Sequence, residues 1–246
     1  MSIDLSTDNK LKVIIILLDF LVVYPEHSTG IARGKTKAML FNFTYNYQFG
    51  TRLELGGENI EMVNKMKLLG TWINSNLTWD ENCAYLVKKV NNRMILLRSI
   101  LSFGASNTEM VHFWIVFCRS ILEQCCELWH ASLTQENKDD LERTQKTFVK
   151  LVLKNNYKNY EDALLKLNLD TLADRREKIL LKFANNGIKY ENMCDLLKLN
   201  EATVNTRDKE KYLVEFANTE RLKTSSIIHM QKMLNQDERN KRKISD

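Results

Sequence analysis

Very little in this chain interrupts a helix: one proline and eight glycines are spread over 246 residues. That scarcity excludes a turn-dense all-β architecture and favours long, unbroken helices. Long hydrophobic runs are missing too. The longest, residues 11–24, is too short to cross a bilayer and carries Asp19 in its middle. Tyr24-Pro25-Glu26 after it supplies no small-residue cleavage site, and Asp4 and Asp8 spoil a cationic start, so a signal peptide is not expected. The run reads as a buried strand or a core helix, and no membrane partner is expected.

Site chemistry is equally sparse. Cys83, Cys118, Cys125, Cys126 and Cys194 are odd in number and have no C-x-x-C spacing. Cys118 and Cys125 lie in an apolar helical pattern and read as small buried hydrophobes. A reduced, intracellular compartment, cytoplasmic or nuclear, is expected. His27, His112, His130 and His229 are scattered and form no ligand cluster by spacing. Gly30-x-x-x-Gly34-Lys35-Thr36 ends like a phosphate-binding loop but has three residues between its glycines where four are needed. Two-metal phosphoryl transfer needs converging carboxylates. Before Lys35 the only acids are Asp4, Asp8, Asp19 and Glu26, none adjacent to another. Asp139-Asp140 falls in the first turns of a helix, where acids favour the dipole.

What is present describes an ordinary globular chain, 44% hydrophobic and 27% charged. The net charge of +5 permits nucleic-acid binding without demonstrating it. Residues 35–43 read as a strand, and 51–73 as a hairpin about Gly56-Gly57 followed by a further strand. From Thr78 the period becomes helical. Thr78-x-x-Glu81 is a capping box, and Leu86, Val90, Ile95, Leu97 and Ile100 form a stripe that stops near Phe103-Gly104. Ser106-x-x-Glu109 opens a second helix to about His130, apolar nearly all round and so expected to be central and buried. A third helix spans about 136–155, a short one lies near 160–167, and a fifth runs from about Thr171 to Gly187. The basic tail 239–243 reads as a frayed, solvated end.

On the third helix Arg143, Lys146, Lys150 and Lys154 fall in one narrow sector at about 100° per residue, opposite Leu141, Phe148 and Val152. Such a helix packs by its apolar face and presents a basic ridge suited to a phosphate backbone. The competing reading is a solvated charged face, with Asp139 and Glu142 nearby.

Ordered landmarks run through the chain. Lys35-Thr36-Lys37 precedes a short apolar strand; Lys67-Leu68-Leu69-Gly70-Thr71-Trp72-Ile73 and Leu77-Thr78-Trp79 follow. Then come Lys89 and Arg93, Arg119-Ser120 with Glu123 and Trp129, and Leu141-Glu142-Arg143-Thr144-Gln145-Lys146. Tyr157, Tyr160-Glu161-Asp162-Ala163-Leu164, Arg175-Arg176 and Asn218-Thr219-Glu220-Arg221 complete the series. In this order they resemble the closing part of a reverse transcriptase from a non-LTR (LINE, jockey-like) retrotransposon, over about residues 30–236.

The resemblance implies an α+β, mostly α-helical fold: a small β-rich palm remnant followed by a helical thumb-like domain. The expected segments are an unmatched apolar stretch 1–30, palm end and primer grip 31–75, thumb-like helices 76–190, and an extension 191–246. It implies template-primer binding, with RNA and an RNA–DNA hybrid as partners and the missing polymerase half as a further one. The implied contact residues are Lys35, Lys37, Leu68, Leu69, Gly70, Lys89, Arg93, Arg143, Lys146, Lys150 and Lys154. Lys35 or Lys37 would stand where polymerases protonate the leaving pyrophosphate. The family's Mg²⁺ is held by aspartates absent here, so no cofactor and no polymerisation are expected of this chain alone. The alternative is a non-catalytic helical protein-interaction module derived from such an element.

Overall fold

The computed structural model describes residues 2–4, 14–18, 37–41, 54–55, 58–190, 193, 195–200 and 210–245. The chain forms two compact units, residues 1–81 and 82–246. Taken together the described residues are mostly helical, with small sheets.

The first unit carries the strands. β1 (Ser2–Asp4), β2 (Ile14–Leu18), β3 (Lys37–Phe41) and a two-residue strand Glu61–Met62 make a sheet in the order β1-β2-β3-(61–62). β2 pairs antiparallel to both β1 and β3, with Ile16 opposite both Ser2 and Met39. β3 pairs parallel to 61–62. Ala38, Met39 and Phe41 are all buried, so β3 is covered on both faces, as an inner strand requires. Of the apolar run 11–24, residues 14–18 are a strand; the rest lies outside the described residues.

Two hairpins follow. Glu54–Leu55 pairs antiparallel with Glu58–Asn59, in agreement with a hairpin about residues 56 and 57. The expected further strand is itself a hairpin, β4 (Lys65–Leu68) against β5 (Thr71–Asn74), with Leu68 opposite Thr71. Leu69 and Gly70 both have positive φ, 48° and 91°. Two successive left-handed residues form the turn whose twist matches antiparallel strands. Alternation along 65–73 therefore comes from two strands folded on each other, which a period of two does not reveal.

α1 (Asp80–Ser102) starts within a residue of the expected cap, and the Asn74 side chain ties this start together. Its oxygen accepts from the Thr78 N–H at 2.9 Å, and its nitrogen donates to Glu81 Oε2 at 3.0 Å. The stop is where Gly104 adopts φ 89°. The buried stripe is Cys83, Leu86, Val90, Met94 and Leu97. Ile95, expected inside, is 64% exposed: Met94 follows Val90 on the i, i+4 line and takes its place.

In the second unit the expected long helix 106–130 is broken. The Ser106/Glu109 capping box forms as expected and starts α2 (Asn107–Phe113). A π turn, Trp114–Arg119, follows, then short turns 120–122 and 126–129 flanking Cys125, which has φ 51°. Five-residue hydrogen bonding rotates side chains off the 3.6 period. Trp114 and Cys118 are fully buried, while Val116 and Phe117 are 47% and 44% exposed, so this element is buried along one side only. The buried thiol of the adjacent pair is Cys126; Cys125 is half-buried. Burial first raises Cys118 to about 11 and Cys126 to about 12, leaving both inert at neutral pH.

α3 (Gln135–Leu153) is capped by the Thr134 hydroxyl accepting from the Asn137 N–H. Its buried face, Leu141, Phe148, Val149 and Val152, packs on α2 and the turns around it. There the Phe148 ring stacks on Trp114 with centroids 4.5 Å apart. α4 (Tyr160–Leu167) and α5 (Leu172–Gly187) follow, capped by Asn159 and Thr171. The helix Ser226–Ser245 lies on α5, sharing a core of Leu180, Ala184, Leu197, Tyr212, Met230 and Leu234. The basic tail is thus the last turns of a helix rather than a frayed end. Arg239 pairs with Glu210 at 2.7 Å and Lys241 with Asp237 at 2.7 Å.

Candidate nucleic-acid interface

The ridge expected on α3 exists as an exposed row. Arg143, Lys146 and Lys150 all face solvent on successive turns. Their surroundings differ. Arg143 is paired with Asp140 at 2.5 Å, which offsets its charge locally. Lys146 lies with its ammonium 5.3 Å from the Tyr160 ring centroid, and Lys150 lies 5.4 Å from that of Tyr157. Among the described residues neither lysine meets a carboxylate at ion-pair distance. Lys154 stands just past the helix, at φ 47°, on the one-turn 3₁₀ segment Lys154–Asn156, so it leaves the helical row. Leu153 already ends α3, two residues short of the end near 155 that the sequence suggested.

A buried polar network sits directly beneath the ridge. Gln145, 0% exposed, accepts from Trp114 Nε1 at 3.2 Å and donates to the Tyr160 hydroxyl at 3.0 Å and the Asp170 carbonyl at 2.9 Å. Glu142 accepts from the Tyr160 hydroxyl and from the Leu172 N–H at 3.1 Å. The latter bond caps α5. Burial first, then the bond to Glu142, holds the Tyr160 phenol far above its ordinary value of 10, so it stays a neutral donor. The hexapeptide 141–146 therefore divides by face: Leu141, Glu142 and Gln145 build the interior, while Arg143 and Lys146 meet solvent.

The remaining candidates fall out as follows. Leu69 forms the tip of the β4–β5 hairpin at 82% exposure, beside Gly70, with Leu68 half-buried before it. Lys65 and Lys67 are exposed on the same strand, two residues apart and hence on one face. Lys37 opens β3 and pairs with Glu61 at 3.0 Å across the parallel ladder. Lys89 is half-buried, 5.8 Å from the Tyr85 ring centroid. Arg93 Nη1 donates to the Phe117 carbonyl, which ties α1 to the π turn. Lys35 lies outside the described residues. The hairpin belongs to the first unit and the α3 ridge to the second.

Two further polar clusters were not legible in the sequence. Glu123 accepts from Arg175 Nε at 3.0 Å and meets Arg119 Nε at 3.5 Å, which is what the landmark residues 119, 123 and 175 do here. The second centres on Glu177, which takes His130 Nε2 at 3.2 Å and His229 Nε2 at 3.0 Å. His130 is 3% exposed, and its Nδ1 accepts from Arg176 Nε at 3.2 Å. An accepting Nδ1 leaves the proton on Nε2, aimed at Glu177. That nitrogen then has no lone pair for a metal. Among the described residues no three His, Cys, Asp or Glu side chains are placed to hold one. Burial holds His130 below its ordinary 6.5, while the bonds from both histidines hold the Glu177 carboxyl well below 4.5. Residues 130, 177 and 229 come from three elements far apart in the chain, so no local spacing signals them.

Asp139 and Asp140 are engaged by Gln135 and Arg143 respectively. Among the described residues no helix is long and apolar enough to cross a membrane. No protein-family model matches the chain, and no curated protein or solved structure matches it.

Proposed function

We propose that this chain is the primer-grip and thumb portion of a non-LTR (LINE, jockey-like) retrotransposon reverse transcriptase, holding template and primer while lacking the catalytic aspartates. One observation carries the proposal: Lys146 and Lys150 are exposed on consecutive turns, seated on tyrosine rings and unopposed by carboxylates among the described residues. Other cations of the second unit meet carboxylates instead, as with Lys178 and Asp170 or Arg175 and Glu123. Lysines held outward and unpaired suit phosphate contacts, which position a nucleic acid without reading its bases. The ordered landmarks from Lys35 to Arg221 supply the family, and RNA or an RNA–DNA hybrid the ligand.

Fluorescence anisotropy with a labelled RNA–DNA hybrid over a salt series tests this. Neutralising Lys146, Lys150 and Lys154 together (each Lys→Gln) is expected to weaken binding. The salt dependence should flatten by roughly 0.7–0.9 in slope for each phosphate no longer neutralised. An unchanged affinity and slope would refute the surface. Mg²⁺-dependent primer extension by the chain alone would refute the catalytic half of the reading.

A second reading has its own observation. Ile95, Leu96 and Phe103 on or beside α1 are 64%, 55% and 89% exposed, with Val116 and Phe117 on the π turn. Large apolar side chains at such exposure suit a protein-interaction module. Salt-insensitive failure to bind any hybrid would favour it.

A further inference from the structure

We infer that Tyr157 and Tyr160 are positioning residues for the lysine ridge, and that through them its ligand is the sugar-phosphate backbone of a stacked duplex. The inference rests on the ridge being a nucleic-acid surface.

After Leu153 the chain reverses direction in the turn Lys154–Asn156, closed by the Tyr157 N–H donating to the Lys154 carbonyl at 3.1 Å. Lys166 Nζ reaches back to the Asn156 carbonyl at 3.0 Å and fixes the same turn from α4. The reversal runs the following segment back along α3, so the nearer tyrosine backs the later lysine. Tyr157 lies by Lys150 and Tyr160 by Lys146. Tyr160 cannot swing away, because its hydroxyl is held by Glu142 and Gln145.

A free lysine gives up rotamer freedom when it grips a phosphate. Seating the ammonium on a ring face beforehand removes part of that loss, and the ring's negative face attracts it there. Four residues along a helix rise about 6 Å, so two fixed ammonium groups address neighbouring charges on one strand. Each lysine occupies the ring face it lies over, which leaves that face unavailable to an unstacked base. A surface for single strands does the opposite and leaves its aromatic faces open for stacking. Charge at fixed spacing with closed aromatic faces selects a backbone and ignores base identity.

The test uses the full chain, a labelled RNA–DNA hybrid, its separate single strands and a hybrid of unrelated sequence. Tyr157→Leu is expected to weaken hybrid binding about two- to fivefold with the salt slope unchanged, because no charge is removed. Tyr157→Phe, which keeps the ring, should bind as the unmodified chain does, and both hybrid sequences should bind alike. In a Lys150→Gln background Tyr157→Leu should cost nothing further, since it acts through that lysine. An undiminished loss there would overturn the positioning role. Tighter binding to single strands than to the hybrid, with a larger loss on Tyr157→Leu, would overturn the closed-face argument. Should Tyr157→Leu not fold, ring-backed Lys150→Gln is expected to cost more affinity than unbacked Lys154→Gln, and equal costs would overturn the idea. If neither Lys146→Gln nor Lys150→Gln weakens binding, the nucleic-acid surface itself fails. If they do and Tyr157→Leu has no effect, only the positioning fails.

Discussion

Replacing Gln145 by leucine isolates the polar network under the ridge. Leucine has similar length and keeps the helix, but it removes one accepted and two donated hydrogen bonds. The Trp114 Nε1–H is the serious orphan, because Trp114 is 0% exposed and donates to Gln145 alone among the described residues. Leaving it unpaired costs about 1–3 kcal/mol. The Asp170 carbonyl and Tyr160 hydroxyl are only partly buried, and the hydroxyl still has Glu142, so each adds roughly 0.5–1.5 kcal/mol at most. Leucine's apolar burial recovers part of the sum, giving an expected loss of about 2–3 kcal/mol. Urea unfolding followed by tryptophan fluorescence and far-UV circular dichroism measures it as a shift in midpoint at constant slope. The cause is checked in a Trp114→Phe background, where the orphan donor no longer exists. There Gln145→Leu should cost less by about 1 kcal/mol or more. A loss below about 0.5 kcal/mol, or an equal loss in both backgrounds, would show that Gln145 is not the node holding the π turn, α3 and α4 together.

Acid should destabilise the second unit in two steps. His130 has a folded pKa below 6.5, so the unfolded chain takes up the proton first and stability falls as pH drops below about 6.5. The Glu177 carboxylate, held below 4.5, adds stability that is lost as pH falls further. Urea midpoints from about pH 7 to about pH 4 should decline, with His130→Gln removing the upper part; a flat profile would refute the assignment. Leu69→Asn should stabilise the hairpin by about 0.5–1 kcal/mol, since asparagine tolerates φ 48° better than leucine does. Slower amide exchange across residues 65–74 would show it, and faster exchange would contradict the strain argument. Arg176 is wholly buried, with both Nη atoms lacking a hydrogen-bond partner among the described residues. Arg176→Met removes that poorly matched buried charge but leaves the buried His130 Nδ1 without its donor, so a loss of about 1–3 kcal/mol is expected in chemical denaturation. A loss well above about 3 kcal/mol would refute the idea that the guanidinium is poorly matched in the interior.

Local chemistry was legible wherever one residue decides one turn. Ser106 with Glu109, Thr171 and the glycine stop at 104 sit where short-range capping and φ rules put them. The helix 106–130 misled because apolar residues all round look the same whether a helix is central or broken. The π turn and the left-handed Cys125 reduce no polarity and leave no mark in composition. Likewise β4 and β5 looked like one strand, because leucine at the tip hid a turn that asparagine would have announced. The ridge was visible as an angular sector, but not the tyrosines beneath it.

The sequence by itself determined that the chain is helix-rich, that one face of a helix over about 136–155 is apolar and the other cationic, and that no two acids are adjacent before Lys35. These follow from periodicity and residue type, which act over a few residues. Only the tertiary structure decided which charges are neutralised, which lysines are seated on rings, and that His130, Glu177 and His229 meet. Those outcomes depend on chain reversals and helix packing. They bring together groups distant in the chain, where no local rule reaches.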